Sequence, residues 1–407
     1  MSMAVKSNRF ALYILMFNMF IAMSGIGLII PIMPGYLETF GAAGQVLGFL
    51  IATFAFSQFL FSPLSGNLSD KYGRKKLIVF GLIVFGISQL IFGLAGQLWI
   101  LFAARFLSGF GSAFLIPPMM AFVADITTLE ERGKGMGYLG ASMSLGFMIG
   151  PSIGGFLANV SMQFPFYIAC AAALVAAASS WFILPDPRPV VKPEQEKKRP
   201  ETIFLQLRRS AAMPYFVMLI IMLVFSFGLA NFQATISMYV DKKYNYTPSD
   251  IAVLLTVGGF VGVIVQTFVV DPLFKKFGEM NVILVNLGVA AVAMVGILFV
   301  NTFWTILLVA TFFFTATSLL RPAINTLISK MAGNEQGFAA GLMNAYMSLG
   351  NMFGPALAGT LFDWNMASPY IAGTIILLAC LGITAVWAAR NRGTLNRLRT
   401  RKVQAAG

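Results

Sequence analysis

Long apolar runs follow one another along this chain, and they constrain its fold more than any other feature. They lie near Phe10 to Met33, Val46 to Gly66, Leu77 to Ala95, Trp99 to Ala124, Gly135 to Leu157 and Phe164 to Leu184. Six more follow, near Met213 to Met238, Ile251 to Val269, Asn281 to Val300, Phe303 to Leu327, Phe338 to Leu361 and Ser368 to Ala389. A hydrocarbon core about 30 Å thick takes roughly 20 apolar residues to cross as a helix, because lipid offers no partner to an unpaired backbone group. The expected fold is therefore all-α and membrane-embedded, with twelve transmembrane helices. Composition excludes a soluble domain: 58% of residues are apolar and 11% charged, where an ordinary soluble domain carries about 25% charged.

The excess charge of +13 falls in short clusters between the apolar runs. No continuous basic groove for nucleic acid can form from clusters so placed, and no nucleic-acid partner is expected. Cys170 and Cys380 sit inside apolar segments and histidine is absent. That argues against a disulfide framework and a His/Cys metal site, so no metal or cofactor is expected. The first run is too long for a signal-peptide core, is interrupted by Pro31 and Pro34, and lacks a small-residue cleavage site, so it reads as a retained span.

Lys6, Arg9, Lys71 to Lys76, Arg132, Lys134, Lys197 to Arg209, Lys275, Lys276, Lys330 and the Arg390 to Lys402 tail fall on one set of connections; Lys242 and Lys243 fall on the other. Positive loops stay on the cytoplasmic side, which predicts a multi-pass inner or plasma membrane protein with both termini cytoplasmic and an even number of spans. All five tryptophans, Trp99, Trp181, Trp304, Trp364 and Trp387, fall at span ends, where an indole sits at headgroup level. The one long polar interval contains several prolines and Lys197-Lys198-Arg199. It divides the chain into an N-terminal six-helix bundle at 1–184, a linker at 185–212, a C-terminal bundle at 213–389 and a basic tail at 390–407. A short amphipathic helix near Thr202 to Arg209 is expected on the membrane surface.

The halves are related. An offset of 204 residues aligns Glu131–Gly137 with Glu335–Gly341, Met143-Ser-Leu-Gly146 with Met347-Ser-Leu-Gly350, and Gly150-Pro151 with Gly354-Pro355. The same offset carries Pro118 to Pro322 and Pro165 to Pro369. A repeat of half the chain predicts two pseudo-symmetric bundles about an axis along the membrane normal, with a cavity at their interface and alternating access by rocking.

Gly66-Asn-Leu-Ser-Asp70-Lys-Tyr-Gly73-Arg74-Lys75-Lys76 joins spans two and three. Its glycines permit tight turns and close helix approach, and Asp70 can pair with Arg74. This segment resembles the loop signature of the major facilitator superfamily, and a degenerate copy, Asp271 to Gly278, stands in the second half. In that light Gly66, Asp70, Gly73 and Arg74 are gating residues. Arg105 to Ala113 in span four and Gly146, Gly150, Pro151, Gly154 and Gly155 in span five resemble two signatures of drug/proton antiporters with twelve spans. Glycines at such spacing flatten one helix face, and Pro151 removes an amide donor. Gly25 to Pro34, Ser226 to Leu229, Leu320 to Ala323 and Ala332 to Phe338 are similar to segments of the Gram-positive multidrug exporters related to NorA and Bmr. The resemblance implies the major facilitator fold and export of bulky hydrophobic compounds in exchange for protons.

In that family, carboxylates in spans seven and ten are associated with proton coupling; the matching positions here are Gln233 and Ser318. None of the fifteen acidic residues falls at the centre of a span. Proton-coupling candidates are therefore Glu38, near the outer end of span one, and Asp125, at the end of span four. A central charge costs about 2.5–3.5 kcal/mol or more, so Arg105 and Arg321 should face the interior. With them, Asn18, Met143, Phe147, Phe225, Asn231, Gln233, Asn325 and Tyr346 are candidates to line a mostly apolar substrate cavity. Two functions fit these residues. One is proton-driven export of hydrophobic small molecules or drugs. The other is facilitated diffusion or symport of a neutral or anionic metabolite, easier to accept beside two arginines. An enzyme or a channel would need a reactive cluster or a repeated pore segment, and neither is visible. A monomer in the bilayer is expected, with a small-molecule substrate and protons as partners.

Overall fold

The computed structural model describes residues 2–185, 203–332 and 336–393. Most of the linker, Glu335 of the aligned repeat, and the tail from 394 onward lie outside them. The first-half helices are α1 (Ser2–Gly27), α2 (Ile29–Glu38), α3 (Gly44–Tyr72), α4 (Arg74–Gly93), α5 (Leu98–Ala113), α6 (Ile116–Ile126), α7 (Leu129–Leu157) and α8 (Phe164–Ile183). After the linker come α9 (Ile203–Ser210), α10 (Phe216–Tyr244), α11 (Pro248–Phe268), α12 (Val270–Phe277), α13 (Glu279–Gly296), α14 (Phe303–Ala332), α15 (Gln336–Trp364) and α16 (Ser368–Arg390). No strand occurs among the described residues.

Among the described residues, eleven spans are long and apolar enough to cross a membrane, two of them made by the pairs α1–α2 and α5–α6. A further long helix, α15, has 29 residues, carries Asn344, Ser348 and Asn351 within its length, and contains no stretch as apolar as those eleven. The α1–α2 pair parts at Leu28 alone, which keeps helical φ and ψ and still donates to the Ser24 carbonyl at 2.8 Å. The α5–α6 break precedes Pro117 and Pro118, whose rings fit the first turn of a new helix. Trp99, Trp181, Trp304 and Trp364 are at least half exposed near helix ends, as interfacial anchors should be.

By contact the described chain falls into two compact units. Residues up to 185 form one together with Ile236–Thr256; residues from 203 to Thr235 form the other with those from Val257 on. The segment Ile236–Thr256, the end of α10 and the start of α11, thus packs with the first unit, whereas the sequence division assigned it to the second bundle.

In the first unit, α7 lies along α1 and α2. A β-carbon on Gly150 would stand 2.6 Å from the Ser24 carbonyl oxygen, and one on Gly154 would collide with that of Leu28. These glycines let two backbones touch, the arrangement that drives helix association where lipid gives no hydrophobic force. Thr128 starts α7 as its N-cap, accepting a hydrogen bond from the Glu131 amide at 3.3 Å, in a T-x-x-E capping sequence. The second unit repeats the packing: β-carbons on Gly350 and Gly354 would meet the Leu223 and Phe227 carbonyl oxygens of α10 at 2.5 and 2.6 Å. The duplication seen as letters is thus also a duplication of contacts.

Candidate functional site

The basic segment between spans two and three is not a loop. Helix α3 runs through Gly66 and Asp70 to Tyr72, and α4 begins at Arg74, so a single residue turns the corner. Gly73 does so at φ 97°, where a side chain would clash with its own backbone. Gly66 departs from expectation: a β-carbon there would meet nothing within 4 Å, so it opens no close approach. Arg74 is the hub of the corner. Its guanidinium pairs with Asp70 one turn earlier, bonds the Ser69 hydroxyl, and donates from Nε to Asp125 Oδ2 at 3.1 Å. Asp125 closes α6, and Arg132 next to it donates to the Ala124 carbonyl at 3.0 Å. Three helix ends are therefore tied by one cation. The proton candidate Asp125 is occupied as its partner.

Glu38 ends α2, whose last turn is pinned by Tyr36. The Tyr36 ring packs between Phe92 and Phe166, and its hydroxyl donates to the Phe92 carbonyl at 3.0 Å. Glu38 then faces a cleft of about 20 Å³, room for roughly one water, shared with Asp241 and Lys242 of α10. Asp241 went unremarked as a partner because 203 residues separate it from Glu38. Two carboxylates and one cation thus share the cleft.

The flat face of α7 has a second contact in the first unit. The Ser152 and Thr256 hydroxyls share a hydrogen bond of 2.7 Å, Thr256 donates to the Met148 carbonyl at 3.1 Å, and Ser249 donates to the Gly155 carbonyl at 3.2 Å. Gly155 has no room for a side chain against Pro248 and Ala252. The antiporter-like motif thus touches α1 and α2 through Gly146, Gly150 and Gly154, and α11 through Gly155.

The cavity candidates sort into buried ties and partly exposed groups. Asn18 donates to the Ser180 hydroxyl at 2.7 Å, joining α1 to α8, and Asn231 donates to the Pro369 carbonyl at 3.2 Å, joining α10 to the start of α16. Tyr346 is buried, and its hydroxyl shares a 2.7 Å hydrogen bond with Ser210 at the end of α9, a tether that nothing in the sequence announced. Phe225 is buried as well. Met143 and Phe147 pack at the edge of the first unit's core, and Gln233, Arg321 and Asn325 are half-buried. Arg105 is buried with its guanidinium carbon 5.2 Å from the Phe92 ring centre. A cation–π contact gives about 0.5–2 kcal/mol, less than the cost of a cation at span depth. Among the described residues its Nε finds no hydrogen-bond acceptor.

Two related sets of helices with glycine-flattened contacts, a charged corner and interior arginines define a carrier of the twelve-span type. A sequence model of the Major Facilitator Superfamily matches residues 15–316 and 291–405. The chain belongs to the Major Facilitator Superfamily. It is 42% identical over 389 residues to multidrug resistance protein 2 of Bacillus subtilis (strain 168), covering 95% of this chain and 97% of that protein. To multidrug resistance protein 1 of the same organism it is 40% identical, covering 95% and 98%. To quinolone resistance protein NorA of Staphylococcus aureus (strain COL) it is 36% identical, covering 90% and 95%. Among solved structures, a bacterial homologue of the human lysosomal transporter Spinster superposes with a TM-score of 0.72 at 16% identity, covering 97% of this chain and 98% of that one. The nucleoside transporter NupG gives 0.73 at 14% identity, covering 94% and 99%. These two likenesses concern the fold.

Proposed function

We propose that this protein is a secondary transporter of the plasma membrane that exports hydrophobic small molecules or drugs by alternating access, in exchange for protons. The observation that carries the reading is full-length identity of 36–42% to three drug-resistance proteins, on a chain whose α7 keeps the glycine face and Pro151 of the antiporter-like motif. Glycine contacts of this kind let helices slide with little side-chain rearrangement. We read the chain as a transporter rather than an enzyme and as a monomer, and place both termini in the cytoplasm on the strength of the Lys and Arg asymmetry. Arg105 and Arg321, with Gln233, Asn325, Met143 and Phe147, are the groups assigned to substrate. For protons we favour Glu38 together with Asp241, because Gln233 and Ser318 carry no titratable group and Asp125 is engaged by Arg74.

A second reading is favoured by one observation: Arg105 and Arg321 stand at span depth, and no acidic residue does. That electrostatic arrangement suits a neutral or anionic metabolite moved without antiport. Expression in an exporter-deficient bacterium separates the two. The exporter reading expects lower accumulation of hydrophobic dyes and quinolones. Unchanged accumulation of all of them, with faster entry of a polar anion, supports the second.

A further inference from the structure

The corner between α12 and α13 repeats the corner between α3 and α4. Gly278 turns it at φ 81°, as Gly73 turns the first at φ 97°. These glycines stand 205 residues apart, an offset that carries Asp70 to Lys275 and Arg74 to Glu279; Lys330 lies one residue beyond Ser329, the position that the 204-residue register of Pro118–Pro322 and Glu131–Glu335 gives to Asp125. Every sign is reversed. The central contact is reproduced across the same 51 residues: Lys330 Nζ donates to Glu279 Oε1 at 2.6 Å, as Arg74 Nε donates to Asp125 Oδ2 at 3.1 Å. The surroundings differ. The two cations are alike, Arg74 at 18% and Lys330 at 19% exposed, but Glu279 is 7% exposed whereas Asp70 and Asp125 are 67% and 38%.

We propose that Glu279 and Lys330 are positioning residues for transport, a charge-reversed counterpart of the Arg74 clasp that holds the α12–α13 corner on the end of α14. Taking two charges out of water is costly, and an apolar pair of similar volume packs at least as well. What an ion pair adds is register: only one setting of α13 along α14 satisfies both groups. Gly278 makes the corner a single residue, so that setting also fixes where α12 leaves the bundle. At both corners a cation meets an anion 51 residues away, with the sign reversed. The inference rests on the transporter reading only for the word transport; the positioning of the corner stands by itself.

The test uses the full chain in lipid nanodiscs and proteoliposomes, with Glu279→Gln, Lys330→Met, the neutral pair of both, and the exchanged pair Glu279→Lys with Lys330→Glu. Amide hydrogen exchange over residues 270–282 reads the corner. Each single variant is expected to speed exchange there by about tenfold or more, and the exchanged pair to return it to within about threefold of wild type. For a transported dye, the single variants should lower the maximal rate at unchanged KM, with recovery in the exchanged pair. A neutral pair with wild-type exchange and rate overturns the proposal, as does an exchanged pair no better than the singles. If the wild type moves no dye, the exporter reading fails and the exchange arm still decides the positioning role.

Discussion

The two one-residue corners of this molecule are built to one plan and embedded differently. At Gly73, Arg74 reaches two carboxylates that are open to solvent. At Gly278, Glu279 meets Lys330 where both are largely enclosed. An exposed pair contributes about 0–1 kcal/mol and is screened by salt, whereas breaking an enclosed pair strands a charge at about 3–5 kcal/mol. The first corner can release at little cost, and the second holds. Duplication thus supplied the halves with one geometry, and burial gave the two copies different strengths.

That contrast can be broken by experiment. The largest effect is expected at the enclosed pair: Glu279→Gln should lower the thermal midpoint of the lipid-reconstituted protein most, corresponding to about 3–5 kcal/mol. A loss no greater than that of Asp125→Asn would erase the difference between the corners. Next come the turns themselves. Gly73→Val and Gly278→Val both place a β-branched residue at positive φ and should each cost about 1–3 kcal/mol, similarly in the two halves, read by the same midpoint. Gly154→Leu, forced against the Leu28 backbone, should fall in the range of about 1–3 kcal/mol or above, with transport lost. The smallest effect is Asp125→Asn, below about 1 kcal/mol, and it should vanish in about 1 M salt.

Much of this was legible in the sequence. Apolar runs announce spans because lipid admits no unpaired backbone, and the Gly146, Gly150 and Gly350, Gly354 series announces close packing because only glycine lets backbones meet. The basic segment after Gly66 was misleading: polar residues at a membrane edge remain helical when the turn needs only Gly73. The Asn18–Ser180, Tyr346–Ser210 and Glu279–Lys330 contacts were out of reach, since each joins residues far apart in the chain. One signal for the last was present. The spacing of 51 from Arg74 to Asp125 recurs from Glu279 to Lys330, hidden by the reversal of sign and by a one-residue shift from the 204-residue register.

The exporter assignment is tested most directly by a dye or quinolone in proteoliposomes under pH gradients of either sign. Antiport predicts that an acidic lumen drives the compound inward as protons leave, that an alkaline lumen drives it outward, and that Glu38→Gln or Asp241→Asn abolishes both responses. A flux indifferent to the gradient, with wild type and both variants alike, would contradict proton-coupled export by this chain.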